Sequence, residues 1–197
     1  MKKVIVFGAN GGLGAHLVEE FKSNEFSVFP ITRNEIDFCD YNSYIKIINL
    51  LTEIDPDVII NASGAFGGNN VDFNKVFSVN VRSNWCIANY YMKHEKLDKA
   101  VKIIFIGSTS YSKGKKDYIL YSSSKSALFN LYEGVSAFFA DTNIVFGLVN
   151  PTRMDTKMLN GLQLNANYKP LDPQYVAQII FDFTQRLKKS DFVNILN

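Results

Sequence analysis

The chain has 197 residues, of which 47% are hydrophobic and 20% charged, with a formal net charge of +2 and two cysteines. This length and composition indicate a single globular domain, and no apolar stretch approaches the roughly 18 residues of a membrane span. Cys39 and Cys86 are too few for a disulfide framework, and neither histidine has a partner at metal-ligand spacing. The basic cluster at 113–116 is more typical of a solvated loop than of a nucleic-acid patch. We therefore expect a cytoplasmic protein with no metal, no membrane segment and no nucleic-acid partner.

Apolar runs alternate along the chain with amphipathic stretches of helical length. Strands are predicted over residues 2–7, 27–32, 57–63, 101–108, 143–151 and 191–196. Helices are predicted over residues 13–24, 41–54, 72–96, 120–140 and 175–189. Because continuous Val, Ile and Phe runs are typical of strands buried on both faces, the pattern predicts an α/β fold. We expect residues 1–197 to form one Rossmann-type domain, a doubly wound parallel sheet with helices on both faces.

The first predicted strand runs into a glycine-rich turn that opens the first helix. Gly8, Gly12 and Gly14 give the spacing G-x3-G-x-G. Such a turn exposes the first N–H groups of the helix, and these donors and the helix dipole both favour binding of a phosphate. Glycine, which has no side chain, lets the backbone come close to a pyrophosphate. The turn therefore predicts dinucleotide binding, the alternative being a tight strand-to-helix turn that holds no ligand.

The end of the second predicted strand bears on which dinucleotide is bound. Arg33 lies where Rossmann proteins place the residue that contacts the adenosine ribose, and no acidic residue immediately precedes it. An arginine here suits a 2′-phosphate, whereas NAD-preferring proteins usually carry an acid. We expect NADP(H) to be preferred and NAD(H) to remain possible, although the glycine turn carries no basic residue and Arg33 could be a plain surface residue.

Three irregular segments follow predicted strands, at 64–71, 109–119 and 152–173. In open α/β sheets, ligands bind at the carboxyl ends of the strands. We therefore expect these segments to border the ligand, with the substrate loop around 152–173.

A second motif lies on the helix predicted over 120–140. Tyr121 and Lys125 are four residues apart, so they share one helix face, and a nearby ammonium brings a phenol closer to useful acidity. Ser108 ends the preceding strand, where its hydroxyl could orient a substrate carbonyl. Tyr111 also carries a lysine four residues on, but it is expected in a loop. The alternative for the Tyr121 pair is an ordinary helix surface.

The order and spacing of these motifs resemble the short-chain dehydrogenase/reductase superfamily over nearly the whole chain. The matching segments are FGANGGLG at 7–14, NASG at 61–64, VNV at 79–81, YSSSK at 121–125 and NPTRMDT at 150–156. The resemblance implies a catalytic tetrad of Asn80, Ser108, Tyr121 and Lys125, with Asn80 helping to hold a water in a proton relay. It also implies a set of cofactor contacts: Gly8, Asn10, Gly12, Leu13, Gly14, Arg33, Asp37, Phe38, Asn61, Ala62, Ser63, Tyr121, Lys125, Pro151, Thr152 and Thr156.

Several features depart from the pattern of that superfamily. Phe7 replaces a threonine before the glycine turn, and Thr152 replaces a glycine after Pro151. The chain is short, and the stretch between Arg33 and residue 57 has room for one helix and at most a very short strand. Single members have structural alternatives: Asn80 could cap or kink its helix, Asn61 and Ser63 could stabilise a turn, and Thr156 could be a helix cap.

The resulting prediction is an NADP(H)-dependent oxidoreductase that interconverts a carbonyl and an alcohol on a small molecule. One alternative is an epimerase or dehydratase of nucleotide sugars, suggested by the N-terminal half. Another is a non-enzymatic NAD(P)-binding sensor or scaffold, suggested by the short substrate region. The predicted helices 72–96 and 120–140 are richer in aromatic residues than one core-facing stripe requires, which favours a homodimer or homotetramer.

Overall fold

A computed structural model describes residues 1–93, 99–159 and 169–196. The described residues form one six-stranded, wholly parallel sheet in the order β2-β1-β3-β4-β5-β6. The strands are β1 (Lys3–Phe7), β2 (Ser27–Ile31), β3 (Val58–Asn61), β4 (Val101–Ile106), β5 (Ile144–Pro151) and β6 (Asp191–Ile195). This is the predicted Rossmann-type sheet, and the predicted fold class is confirmed.

Helices connect the strands and cover both faces of the sheet. They are α1 (Gly14–Ser23), α2 (Ser43–Ile54), α3 (Phe73–Phe77), α4 (Ser83–Lys93), α5 (Ile119–Phe138) and α6 (Pro173–Arg186). Short 3₁₀ turns at Thr109–Ser112 and Lys157–Leu159 precede α5 and α6. None of the helices within the described ranges is long and apolar enough to cross a bilayer.

Alternate residues of each strand enter two separate cores, as the two-residue period of a strand requires. In β1, Ile5 and Phe7 join a core with residues of α2, α4 and α5, whereas Val4 and Val6 join a core with residues of α1 and α6. All four side chains are fully buried. Burial on both faces explains why the strands appear in the sequence as unbroken apolar runs.

The strand order reverses beside β1, which pairs with β2 on one side and β3 on the other. The chain leaves β1 and β3 in opposite directions there, so a crevice opens at the carboxyl ends of these strands. This reversal point is where open α/β sheets bind their ligands.

The predicted helix 72–96 differs from the structure in its regularity. A π-helical turn, Ser78–Arg82, separates α3 from α4, and residues 94–96 lie outside the described ranges. The extra residue in a π turn shifts the helix face without ending the helix, so apolar periodicity alone does not reveal it. The predicted strand 57–63 is also shorter in the structure, because the chain leaves the sheet after Asn61.

Candidate active site

The carboxyl edge of the sheet carries a large cavity of about 1250 Å³, which we call the main cleft. This volume exceeds the roughly 300–1,000 Å³ of typical small-molecule sites. Residues from the glycine turn, the end of β2, the loop after β3, α5 and the loop after β5 line it. The lining includes Gly8, Asn10, Gly12, Leu13, Arg33, Asp37, Phe38, Ala62, Ser63, Phe66, Lys116, Tyr118, Tyr121, Lys125, Arg153, Met154, Thr156 and Met158.

The glycine turn is shaped by contacts that exclude side chains. Gly8 has a φ of +74°, a backbone conformation that other residues rarely adopt. A Cβ atom on Gly14 would lie 2.0 Å from the Gly8 carbonyl oxygen, and one on Gly12 would lie 2.6 Å from the methyl carbon of Thr156. Gly14 does not line the cleft and serves the packing of helix against strand. Gly8 and Gly12 lie in the cleft wall.

The N-terminus of α1 faces the same cleft. Leu13 caps this helix without a side-chain hydrogen bond, so the side chain of the capping residue satisfies none of the first N–H groups. Asn10 and Leu13 line the cleft at this point. An uncapped helix N-terminus beside a glycine turn is a site for a pyrophosphate, and these residues fit the dinucleotide that the sequence predicts.

Arg33 lies two residues beyond β2 and lines the far part of the cleft. Its guanidinium donates two hydrogen bonds to one carboxylate oxygen of Asp37, at 3.1 and 3.0 Å, while two-thirds of its side chain stays exposed. The N–H of Cys39 and the Arg33 guanidinium hold the pKa of Asp37 below its usual value. Phe38 is buried beside them, against the ring of Phe7. Basic, acidic and aromatic side chains therefore meet where an adenosine would bind.

The structure gives Asn61 a different place from its neighbours. Its amide donates to Ser83 Oγ at 2.8 Å and to Asn84 Oδ1 at 2.9 Å, and it does not line the cleft. Its side-chain oxygen accepts a bond from the Ser63 N–H. Asn61 thus joins the end of β3 to α4, whereas Ala62 and Ser63 line the cleft.

A second cavity of about 290 Å³, the side pocket, adjoins the main cleft. Tyr121 lines both cavities, Lys125 lines the main cleft and Ser108 lines the side pocket. The Lys125 nitrogen lies 5.6 Å from the centre of the Tyr121 ring, so the two residues share a helix face, as their spacing predicts. A molecule in the side pocket and a ligand in the main cleft would therefore meet at Tyr121.

Burial governs the acidity of this pair. Desolvation raises the pKa of Tyr121 to about 12, and a hydrogen bond with the Ser108 side chain partly opposes this rise. Burial also lowers the pKa of Lys125 to about 8, while its ammonium donates to the Ile106 carbonyl at 2.9 Å. The group that lowers the pKa of the Tyr121 phenol is therefore Ser108, whereas the sequence predicts Lys125 in this role. At neutral pH Tyr121 is therefore a phenol with a proton to donate.

Ser108 is held by two hydrogen bonds and lies beside Tyr121 in the side pocket. Its hydroxyl accepts from the N–H of Ser110 at 3.1 Å and lowers the pKa of the Tyr121 phenol. Its own N–H donates to the side-chain oxygen of Asn150 at 3.1 Å. Asn150 is fully buried in β5, and its side-chain nitrogen has no hydrogen-bond partner among the described residues. In the sequence Asn150 is only the first residue of the NPTRMDT segment, and its contact with Ser108 depends on the pairing of β4 with β5.

Asn80 lies in the π-helical turn and lines neither cavity. Its side chain exchanges two hydrogen bonds with the backbone of Ala65, at 2.8 and 2.9 Å, and donates to Ser124 Oγ at 2.9 Å. Ser124 Oγ donates in turn to the Tyr121 carbonyl at 2.7 Å. Asn80 thus connects the loop after β3 to the helix that carries Tyr121. Its own carbonyl accepts from the Asn84 amide.

The loop after β5 borders both cavities. Pro151 and Thr152 line the side pocket, and Thr156 lines both cavities. Asp155 N–H donates to Leu171 and Leu171 N–H donates to Arg153, so the two ends of the predicted substrate loop are joined. Residues 160–168 of that loop lie outside the described ranges.

All three irregular segments reach the site, as their positions after strands predict. Phe66 packs against Tyr118 and Tyr121, with ring centres 5.4 and 4.9 Å apart, and Asn69 bridges two loops by bonding to Lys116 and Ile119. The sequence does not single out five further site residues, because their position in a loop is their only signal: Phe66, Lys115, Tyr118, Met154 and Met158. Tyr111 lines neither cavity and stacks on Phe129.

Comparison with known proteins identifies the family. The family described as "short chain dehydrogenase" matches residues 41–167, about two thirds of the chain. The chain belongs to the short-chain dehydrogenase family of oxidoreductases. The match begins after the glycine turn, whose geometry is therefore an independent observation.

The chain matches a curated relative over only part of that relative's length. A "Bifunctional ribulose 5-phosphate reductase/CDP-ribitol pyrophosphorylase" of Haemophilus influenzae is 28% identical over 164 residues. That match takes in 79% of this chain but 34% of the relative, so the chain spans about a third of the relative's length.

Solved structures of short-chain dehydrogenases share the fold. A 4-hydroxyisoleucine dehydrogenase complexed with NADH superposes with a TM-score of 0.85 at 20% identity, covering 99% of this chain and 97% of that one. A Burkholderia cenocepacia enzyme in complex with NADP gives a TM-score of 0.82 at 18% identity, covering 100% of this chain and 90% of that one.

Proposed function

We propose that this chain is an NADP(H)-dependent oxidoreductase that reduces the carbonyl of a small molecule, or oxidises the corresponding alcohol. One observation carries the proposal: Tyr121 lines both the main cleft and the side pocket, and Ser108 lines the side pocket with it. A nicotinamide cofactor supplies a hydride when it is bound. The residues of this chain then have to hold the carbonyl and deliver a proton.

The chemistry of the side chains follows from their positions. Ser108 donates a hydrogen bond to the substrate carbonyl oxygen and fixes its direction. Tyr121, protonated at neutral pH, gives its proton to that oxygen as charge develops there. Lys125 stabilises the phenolate that remains, because an ammonium beside the phenolate favours its charged form. Asn80 acts at a distance, by fixing the backbone that positions Tyr121.

The preference for NADP(H) over NAD(H) rests on Arg33. Its side chain is exposed at the cleft, where a 2′-phosphate would lie beside the adenosine ribose. Asp37 engages the Nε and one terminal nitrogen of the guanidinium, and the other terminal nitrogen has no bond with Asp37. Hydrogen bonds between a guanidinium and a phosphate are charge-assisted and strong, so a contact between Arg33 and the 2′-phosphate would favour NADP(H).

The first experiment is a fluorescence titration of the purified chain with NADPH and with NADH, followed by a carbonyl screen with the cofactor that binds. Tighter binding of NADPH, with turnover of at least one carbonyl, supports the proposal. Preference for NADH rejects the role of Arg33. Binding without turnover of any carbonyl favours a sensor or scaffold, and failure of both cofactors to bind rejects the dinucleotide site.

The names of the relatives suggest where that screen begins. The Haemophilus influenzae relative is named for reduction of ribulose 5-phosphate, so pentulose phosphates are the first compounds to test. The NADH-bound structural relative is named for 4-hydroxyisoleucine, so branched hydroxy acids form a second set.

We further propose that residues 1–197 act as one domain and that two copies associate through α4 and α5. Tyr90, Tyr91 and Tyr132 of these helices are buried in the core, which accounts for part of the apolar excess in the sequence. Trp85 remains 42% exposed and Phe138 60% exposed, so an apolar surface is left over. Light scattering at the mass of one 22.3 kDa chain would reject the dimer.

A further inference from the structure

A short turn in the loop after β5 packs against two other loops of the main cleft. A Cβ atom on Gly12 would lie 2.6 Å from the methyl carbon of Thr156, so this threonine rests directly on the glycine turn. A Cβ atom on Gly64 would lie 3.2 Å from the methyl carbon of Met158. We call residues 156–158 the strap, because their first and last side chains rest on the loops that follow β1 and β3.

The backbone of the strap is held by hydrogen bonds on both sides. The N–H of Thr156 donates to the Met154 carbonyl at 2.9 Å, and the N–H of Leu159 donates to the Thr156 carbonyl at 2.9 Å. The second bond closes the 3₁₀ turn that begins at Lys157. The backbone of this lysine is therefore fixed between two side chains that are packed against the cleft wall.

Lys157 brings a positive charge to the main cleft. It lines this cleft but not the side pocket, and its side chain is exposed. None of the ion pairs between residues of the described ranges involves Lys157. Asp155, a carboxylate two residues before it, lines neither cavity. The ammonium is therefore free to meet an anion that enters the cleft beside the strap.

The glycine turn has no positive side chain of its own. Residues 8–14 contain neither lysine nor arginine. A pyrophosphate at this turn would meet backbone N–H groups and a helix dipole worth roughly half an elementary charge, which leaves most of its negative charge unmatched. A cation from another segment would complete the site. Lys157 is placed to supply it, because its neighbour Thr156 rests on Gly12.

We propose that Lys157 binds the pyrophosphate of the nicotinamide dinucleotide from the strap and supplies the positive charge that the glycine turn lacks. This inference rests on the proposed function, since it takes the main cleft as the dinucleotide site. NADPH and NADH share the pyrophosphate, so Lys157 raises the affinity for both and does not choose between them. The choice belongs to Arg33, which binds the 2′-phosphate in the proposed function.

The experiment uses calorimetric titration with two fragments that separate the phosphates of the cofactor. ADP-ribose has the pyrophosphate without a 2′-phosphate, whereas 2′-AMP has the 2′-phosphate without a pyrophosphate. Lys157→Gln should weaken binding of ADP-ribose about three- to tenfold, the range for an exposed ion pair, and leave binding of 2′-AMP nearly unchanged. Arg33→Ala should show the reverse pattern, weakening 2′-AMP and sparing ADP-ribose.

The whole cofactors give a second measurement. Lys157→Gln should weaken NADPH and NADH by the same factor, and raise KM for NADPH with little change in kcat, because the pyrophosphate does not react. Lys157→Arg keeps the charge and should bind both cofactors almost as the wild type does. Lys113→Gln is the matched control, since Lys113 is exposed and lines neither cavity.

The outcomes separate this inference from the proposed function. If Lys157→Gln binds ADP-ribose and both cofactors as tightly as Lys113→Gln does, Lys157 does not bind the pyrophosphate, although the oxidoreductase stands. Equal losses of ADP-ribose and 2′-AMP binding in Lys157→Gln also overturn the inference. If the wild type binds neither cofactor, the proposed function fails, and titration with inorganic pyrophosphate tests the lysine directly. Weaker binding of inorganic pyrophosphate by Lys157→Gln than by Lys113→Gln then supports the site, and equal binding overturns it.

Discussion

The side-chain oxygen of Asn150 accepts a hydrogen bond from the backbone N–H of Ser108 at 3.1 Å, across the carboxyl ends of β5 and β4. The same oxygen would lie 1.9 Å from a Cβ atom on Gly107. Gly107 and Asn150 therefore form a matched pair: the glycine leaves the space that the amide needs to reach Ser108. Because the Ser108 side chain lowers the pKa of the Tyr121 phenol, this pair fixes the backbone from which Ser108 acts on the proposed proton donor.

Asn150→Ala removes the acceptor and leaves the Ser108 N–H unpaired in a buried place, which costs about 1–3 kcal/mol of stability. Gly107→Ala forces a Cβ onto the amide and costs a similar amount. Urea unfolding of both single variants and the double variant measures the coupling. We expect the double variant to lose clearly less stability than the sum of the two, because without the amide the new Cβ has room.

A purely structural role for Asn150 would leave turnover per folded molecule unchanged. We expect Asn150→Ala to lower kcat by about tenfold or more while NADPH binding changes little, because a misplaced hydroxyl affects the transition state. If the double variant loses as much stability as the two single variants together, and kcat of Asn150→Ala is unchanged, Asn150 does not position Ser108.

Tyr121→Phe should lower kcat by about 10²–10⁴-fold, the usual contribution of a positioned proton donor. The fold should survive, since the ring still packs against Phe66. Tyr111→Phe is the matched control, because Tyr111 also precedes a lysine by four residues but stacks on Phe129 away from both cavities. Steady-state kinetics at a fixed NADPH concentration measure both. Comparable losses in the two variants would contradict the role of Tyr121.

The sequence predicts the sheet and the Tyr121–Lys125 pair because both depend on local spacing. Apolar runs define buried strands, and a separation of four residues defines one helix face. It does not predict the contact of Asn150 with Ser108, which depends on the β4–β5 register and on a glycine that leaves space. The place of Lys115 is equally hidden, since loop residues carry no periodicity and only the folded chain shows which lysine faces a pocket.

Arg33→Ala should weaken NADPH binding by about 10–100-fold and change NADH binding less than threefold, because only NADPH carries the 2′-phosphate. The titrations use the intrinsic fluorescence of the reduced cofactors. Arg186, which is exposed at the end of α6 and does not line the main cleft, provides the control variant Arg186→Ala. If Arg33→Ala weakened the binding of NADPH and NADH equally, the Arg33 side chain would attract both dinucleotides by its charge and would not recognise the 2′-phosphate.

Gly14→Ala should destabilise the chain strongly, because its Cβ would lie 2.0 Å from a backbone oxygen that cannot move without distorting the turn. Gly134→Ala is the opposite case. A Cβ there meets nothing within 4 Å, and the residue lies inside α5, so the substitution should stabilise by about 0.5–1 kcal/mol. Urea midpoints of the two variants measure the contrast. Similar shifts in the two would show that the glycine turn tolerates side chains.

Lys125 makes the stability of the fold depend on pH. Burial lowers its pKa from 10.5 to about 8 in the folded chain, so between these pH values the unfolded chain binds more protons than the folded one. Stability therefore rises with pH across this window, and below pH 8 the cost of burying the ammonium is fully present.

We expect the free energy of unfolding of the wild type, relative to Lys125→Met, to rise by on the order of 2–3 kcal/mol between about pH 8 and pH 10.5. Denaturant unfolding at several pH values tests this, and the difference between Lys125→Arg and Lys125→Met should stay flat, because a guanidinium keeps its proton throughout. A flat difference for the wild type as well would mean that the ammonium remains solvated in the folded chain.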